Sequence, residues 1–96
     1  MIVSEFVHDG QVVHVHAESE NIDGQASVLI MARWADGRPV NGYRYTIKQE
    51  PWMVMDLERA LATQKGKILV RSCITDVQHR LWEEYCKAMR ELEEES

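Results

Sequence analysis

The sequence has few cysteines, few prolines and no long apolar run, and these shortages exclude several classes of protein. Its two cysteines, Cys73 and Cys86, lie outside any CxxC pair and are too few for the disulfide framework of a small secreted domain. We therefore expect reduced cysteines in a cytoplasmic protein, with a single Cys73–Cys86 bridge as the alternative. The longest apolar run, residues 28–32, is far shorter than the roughly 20 residues of a membrane-spanning helix. The first ten residues also lack the basic and apolar regions of a secretory signal.

The chain also lacks the common motifs of catalysis and cofactor binding. It contains no glycine-rich phosphate loop, HExxH zinc motif, GxSxG nucleophile motif or EF-hand calcium loop. His79 precedes Cys86 by seven residues, which along a helix is about 10 Å and too far for direct proton transfer. We therefore expect a protein without enzymatic activity and without a cofactor.

What remains is the composition of one globular domain spanning residues 1–96. Hydrophobic residues make up 45% of the chain and charged residues 28%, with a net charge of −5. The first 32 residues hold five acidic and no basic residues, residues 33–71 hold eight basic and four acidic, and the remainder three basic and seven acidic. The overall acidity argues against binding nucleic acid by charge alone, whereas the basic middle leaves a local site open.

The first half of the sequence has the features of β-strands. Residues 2–8 and 11–17 are rich in β-branched side chains and flank Asp9-Gly10, the strongest short hairpin signal. A two-residue turn pairs Glu5 with His14 and Val3 with His16. The more apolar face of this hairpin, which we expect to face the core, carries Ile2, Phe6, Val13, Val15 and Ala17.

Two further strands are predicted before residue 50. Residues 18–25 are polar and predict a loop, residues 26–34 predict a central strand apolar on both faces, and residues 42–48 alternate as a half-buried strand does. The short connections favour an antiparallel sheet. A central strand that is apolar on both faces needs a second cover, which makes a homodimer one interpretation.

After residue 50 the hydrophobic spacing becomes helical. Pro51 suits the first turn of a helix over 51–64, with Gly66 just past its end. Residues 67–71 are ambiguous between a fifth strand and a connector, and Thr75 with Gln78 fits a capping box that begins a helix over 75–94. The sequence thus predicts an α+β fold, in which a four-stranded antiparallel sheet from residues 2–48, or five-stranded with 67–71, packs against two C-terminal helices.

One candidate metal site follows from the hairpin register. Glu5, His14 and His16 share a face, and the two histidines lie roughly 7 Å apart along the strand. Two imidazoles and a carboxylate can bind zinc and leave one position open for water. The alternative is a solvated strand face on which Glu5 and His14 form an ordinary cross-strand pair.

A candidate interaction surface combines basic and aromatic residues with one methionine. Its members are Arg33, Trp34, Arg38, Arg44, Lys48, Trp52 and Met55. The basic residues, with Tyr43 and Tyr45, have the composition of a nucleic-acid platform, but alternation puts the tyrosines and Arg44 on opposite faces. We therefore expect a small protein-interaction module (an adaptor, inhibitor or regulatory subunit) that binds a protein partner. Nucleic-acid binding by the basic segment and metal binding by the hairpin are the alternatives.

Overall fold

The computed structural model describes residues 1–49 and 56–95, and these form an antiparallel sheet followed by helices, which confirms the α+β fold. The strands are β1 (Ile2–His8), β2 (Gln11–Ile22), β3 (Gln25–Trp34) and β4 (Tyr45–Lys48). The described helices are α1 (Leu57–Ala62), α2 (Gln64–Gln78) and α3 (Leu81–Glu95). The sheet order is β1-β2-β3-β4, so each strand pairs with the one before it in sequence.

The β1–β2 hairpin has the predicted turn and most of the predicted register. Pairing runs as expected from His8–Gln11 back to Ser4–Val15, and Asp9 and Gly10 both have positive φ. The predicted Val3–His16 pair is wrong, because a bulge between Ile2 and Ser4 pairs Ile2 with His16 instead. An extra residue reverses the alternation of side chains beyond it. Ile2, predicted to be in the core, is therefore 53% exposed, and Val3 packs against the core in its place.

The predicted loop over residues 18–25 is wrong, since the ladder between β2 and β3 continues through it. Ile22 pairs with Gln25 across a two-residue turn formed by Asp23 and Gly24, whose φ angles are +52° and +81°. An Asp-Gly turn needs only these two residues and sustains pairing on either side. The polar character of residues 18–21 reflects exposure of the end of the hairpin, not a loss of strand structure.

The central strand β3 is buried on both faces, as predicted. Its inner face joins the core between sheet and helices, which comprises Val13, Val15, Ala17, Val28, Ile30, Ala32, Ile47, Ala60, Cys73 and Val77. On the opposite face, Leu29 and Met31 are only 2% and 7% exposed within a single chain. The second apolar face of β3 therefore does not by itself require a partner.

The connection from sheet to helices differs from the prediction at both ends. Strand β4 begins at Tyr45 instead of residue 42. Of the helix predicted over 51–64, residues 51–55 lie outside the described residues, and α1 begins after its N-cap Asp56. Thr63 ends α1 and caps α2, accepting a hydrogen bond from the Gly66 N–H at 3.1 Å. Gly66 thus lies in the first turn of α2, not past the end of a helix.

Residues 67–71 are helical, so the predicted fifth strand is wrong. They belong to α2, whose apolar positions recur with helical spacing from Leu69 through Cys73 to Val77. The predicted helix start at Thr75 is also wrong, because Thr75 lies inside α2. The predicted helix over 75–94 is instead divided by the backbone at Arg80, whose φ of +55° ends α2 and redirects the chain into α3.

The helices differ in how they cover the sheet. Ala60 of α1 and Cys73 and Val77 of α2 belong to the core, whereas α3 contributes no buried residue. Among the described residues, no helix combines the length and apolar content needed to cross a lipid bilayer.

Candidate functional site

The predicted metal ligands lie on one face of the hairpin, but two of them are paired with each other. His14 Nε2 lies 3.1 Å from Glu5 Oε2, so the carboxylate is engaged in a cross-strand pair. The His14 and His16 rings are 6.2 Å apart and edge to face. Within residues 1–49 and 56–95, no three His, Cys, Asp or Glu side chains are arranged to hold a metal ion. The geometry matches the cross-strand alternative.

The surroundings of His16 favour its neutral form. Partial burial, and then the positive charges of Arg33 and the N-terminus, lower the pKa of His16 from its usual 6.5. A neutral imidazole is the form that binds metals, but this one has neighbours that would repel a cation.

The predicted basic and aromatic surface is divided between the two faces of the sheet. Trp34 pairs with Val13, packs against the core and stacks on His8, whereas Arg33 pairs with His14 on the opposite face. Lys48 is opposite Ser27, also away from the core. The structure therefore does not bring these residues together into one platform.

The other predicted members are engaged locally or lie elsewhere. Arg38 donates to Asp36 at 2.6 Å, and the Arg38 N–H bond to the same carboxylate is the main reason that the pKa of Asp36 is lowered. Arg44 lies 4.0 Å from Glu20. Trp52 and Met55 lie outside the described residues, and their place in an interaction surface stays a prediction.

The two tyrosines face the helices, as the alternation of residues 43–47 indicated. The Tyr45 hydroxyl donates to the Asp76 carboxylate of α2, and burial together with this bond raises the pKa of Tyr45 well above its usual value. Tyr43 packs edge to face on Trp82 with ring centroids 5.1 Å apart. Both rings serve to attach helices to the sheet.

Among the described helices and strands, α3 carries the largest set of exposed large apolar side chains. We call it the α3 stripe; it consists of Leu81, Tyr85, Met89 and Leu92, which are 38%, 51%, 42% and 59% exposed. Their spacing of four, four and three residues places them on one side of the helix. Leu81, Tyr85 and Leu92, with Ala88, also keep the alternating four- and three-residue spacing of a coiled-coil seam. An apolar side of this kind is normally covered by another element.

Helix α3 is attached to the rest of the protein mainly at its first turn. Trp82 lies over Gly42, where an added Cβ would overlap the indole ring, and stacks on Tyr85 at 5.6 Å. Arg80 forms an ion pair with Asp9 in the first hairpin turn. These contacts fix the direction of α3 relative to the sheet.

A second apolar feature is an open cavity of about 580 Å³ beside α2, which we call the α2 groove. Its lining residues are Val3, Leu61, Lys67, Val70, Arg71, Ile74, Thr75 and Gln78. The apolar members come from β1, α1 and α2; of the two cations, Lys67 lies in the first turn of α2 and Arg71 at its midpoint. The β1 bulge contributes directly, because it turns Val3 toward this side of the sheet.

The sequence predicts a helix over 75–94 that packs against the sheet, whereas the residues of the α3 stripe are exposed. The signal for their exposure is weak: a Gly or Pro usually marks a helix break, and residues 78–81 contain neither. The sequence does not predict the α2 groove, because residues 67–71, which form part of its wall, could be a strand or a connector from the sequence alone.

Comparison with models of known protein families, with curated proteins and with solved structures finds no match to this chain.

Proposed function

We propose that this chain is a small non-enzymatic protein-interaction module and that α3 is the element that contacts its partner. The observation that carries the proposal is the α3 stripe, four large apolar side chains exposed on one side of a fifteen-residue helix. Amphipathic helices commonly bind by laying such a side into an apolar groove of another protein. The anchored first turn presents the stripe in a fixed direction, which reduces the conformational entropy lost on binding.

The polar residues of α3 support recognition of a basic partner. The helix carries six glutamates against one lysine and one arginine. Complementary charge speeds association and selects among partners, whereas apolar contact supplies most of the affinity. A partner surface that is apolar with basic residues around it fits α3 best.

The cysteines support a cytoplasmic location and an absence of thiol catalysis, both of which we include in the proposal. Both thiols are free, so the alternative Cys73–Cys86 bridge is not formed. Cys73 is 2% exposed, and burial, followed by the nearby charge of Asp76, raises its pKa to about 12. Such a thiol stays protonated at neutral pH and is a poor nucleophile.

Site-specific photocrosslinking tests the proposal in cells that naturally produce the protein. A photoreactive residue in place of Met89, on the stripe, is expected to form a covalent adduct with a protein. The matched control is the same residue in place of Lys87, which is two positions from Met89 and lies on the opposite side of α3. Absence of an adduct at position 89, or equal adducts at both positions, would contradict the proposal.

A further inference from the structure

The α3 stripe and the α2 groove match each other in length. The stripe runs from Leu81 to Leu92, and the α2 side of the groove runs from Lys67 to Gln78. Each span covers eleven residue steps, so both surfaces are about 16 Å long. On the α2 side, the apolar lining consists of Val70 and Ile74, with polar or charged residues on either side, so it would cover the middle of the stripe.

The charges at the helix ends are also complementary. The first turn of α2 has no acidic residue but contains Lys65 and Lys67, and the last turn of α3 has no basic residue but contains Glu93, Glu94 and Glu95. Because a helix is positive at its N-terminus and negative at its C-terminus, both sets of charges oppose the dipole of their own helix. If α3 lies antiparallel to α2, the glutamates of α3 lie beside the positive N-terminus of α2, and the lysines of α2 lie beside the negative C-terminus of α3. Both arrangements are stabilising.

The groove is not covered by α3 of the same chain. Three features direct α3 away from the sheet and the other helices: the positive φ of Arg80, the Arg80–Asp9 ion pair and the contact of Trp82 with Tyr43. The radius of gyration is 15.1 Å, whereas a compact chain of this length has a radius of about 12–13 Å. Within one chain, α3 therefore lies away from the α2 groove, although the two surfaces match.

We propose that α3 of a second copy of this chain docks antiparallel along the α2 groove, and that the exchange is reciprocal. Each copy gives one helix and receives one, which makes a closed dimer with two equivalent contacts. This inference rests on the proposed function and names the partner as a second copy. Direct pairing of two α3 helices is disfavoured, because it would bring together two helices that each carry six glutamates.

Charge reversal tests the pairing in the purified 96-residue chain. The wild type is expected to sediment at twice its mass of 11.2 kDa. The groove variant Lys67→Glu/Arg71→Glu and the helix variant Glu91→Lys/Glu95→Lys should each weaken dimerisation about tenfold or more, because each places like charges across both contacts. The control Lys87→Glu/Arg90→Glu changes net charge as the groove variant does, but on the opposite side of α3, and should remain dimeric.

Mixing the two impaired variants gives the decisive measurement. In the mixed pair one contact has the wild-type charges and the other has them fully reversed, so both are complementary. We expect the mixture to recover the dimer that each variant has lost. Failure to recover it, with both variants folded by circular dichroism, would overturn the inference. Should a reversed variant fail to fold, Lys67→Ala/Arg71→Ala replaces it, with a smaller weakening expected.

Two other outcomes separate this inference from the proposed function. A wild-type chain that stays monomeric up to millimolar concentration overturns the inference, while an adduct of position 89 with a different protein would keep the proposed function. A dimer that is lost in Leu92→Glu but unaffected by the groove variant would indicate pairing of α3 with α3, and it also overturns the inference.

Discussion

Helices α2 and α3 have the same length and a similar amphipathic pattern, yet only one of them belongs to the core. Each has fifteen residues, but α2 buries Gly66, Cys73 and Val77, whereas α3 buries none. The difference shows what hydrophobic spacing can establish. It identifies which side of a helix is apolar, but not whether the same chain covers that side.

The sharpest test of this contrast places a charge on each helix. Val77→Asp puts a carboxylate among core residues and should lower the free energy of unfolding by about 3–5 kcal/mol, whereas Leu92→Asp should change it by less than about 0.5 kcal/mol. Urea denaturation at low protein concentration measures both without a contribution from association. Where Val77→Asp does not fold, Val77→Ala replaces it, with an expected loss of about 2 kcal/mol. Equal losses on the two helices would refute the contrast.

A second test loosens the attachment of α3. Gly42→Ala places a methyl group against the Trp82 ring and should cost about 1–3 kcal/mol of folding free energy. Because the Trp82 ring must move, we also expect the tryptophan fluorescence to change. In a Trp82→Leu background the ring is gone, so the same substitution should cost much less. An unchanged cost in that background would mean that the ring contact does not hold α3.

A third test loosens the attachment of α2. Tyr45→Phe removes the hydroxyl that donates to Asp76, and the loss of this hydrogen bond should cost about 1–1.5 kcal/mol. Tyr85→Phe is the matched control on α3, where the ring is half exposed, and should be nearly neutral. Thermal unfolding of both variants measures the difference. A neutral Tyr45→Phe would show that apolar packing alone holds α2 to the sheet.

The smallest expected effect concerns His16, which lies on the sheet face opposite to α1 and α2. Because the pKa of His16 is lowered in the folded state, the unfolded chain binds a proton first as the pH falls below about 6.5. This group therefore reduces stability progressively between pH 7 and pH 5. His16→Gln should flatten the pH dependence of the melting temperature in that range, and its effect at pH 8 gives the baseline. A steeper pH dependence of the melting temperature in His16→Gln would contradict a lowered pKa of His16.

The strands could be predicted from the sequence wherever local chemistry determines them. Asp9-Gly10 fixed the first hairpin, and the alternation around Ile47 identified β4. The bulge at Val3 could not be foreseen, because an extra residue in a strand leaves no mark when both alternative residues are apolar. The second Asp-Gly turn has the same signal as the first, but the polar residues around it concealed the continuing ladder.

The helical half was harder to predict because its boundaries depend on tertiary contacts. The run Ile68-Leu69-Val70 is apolar, and two of its three side chains are β-branched, which suits a strand, yet the run is helical in α2, which packs on the sheet. The break at Arg80 is held by Asp9, seventy-one residues earlier in the chain. The exposed stripe of α3 and the α2 groove both follow from that break, which explains why neither could be derived from spacing alone.

The sequential strand order has a consequence for how the chain matures. Each strand pairs with the one synthesised just before it, so during translation the sheet can grow by successive hairpins without waiting for distant segments. Its inner apolar face is not fully covered until both α1 and α2 have left the ribosome. The newly made sheet is therefore most prone to aggregation in that interval. Helix α3 is synthesised last, when the core between the sheet and the first two helices can already have formed.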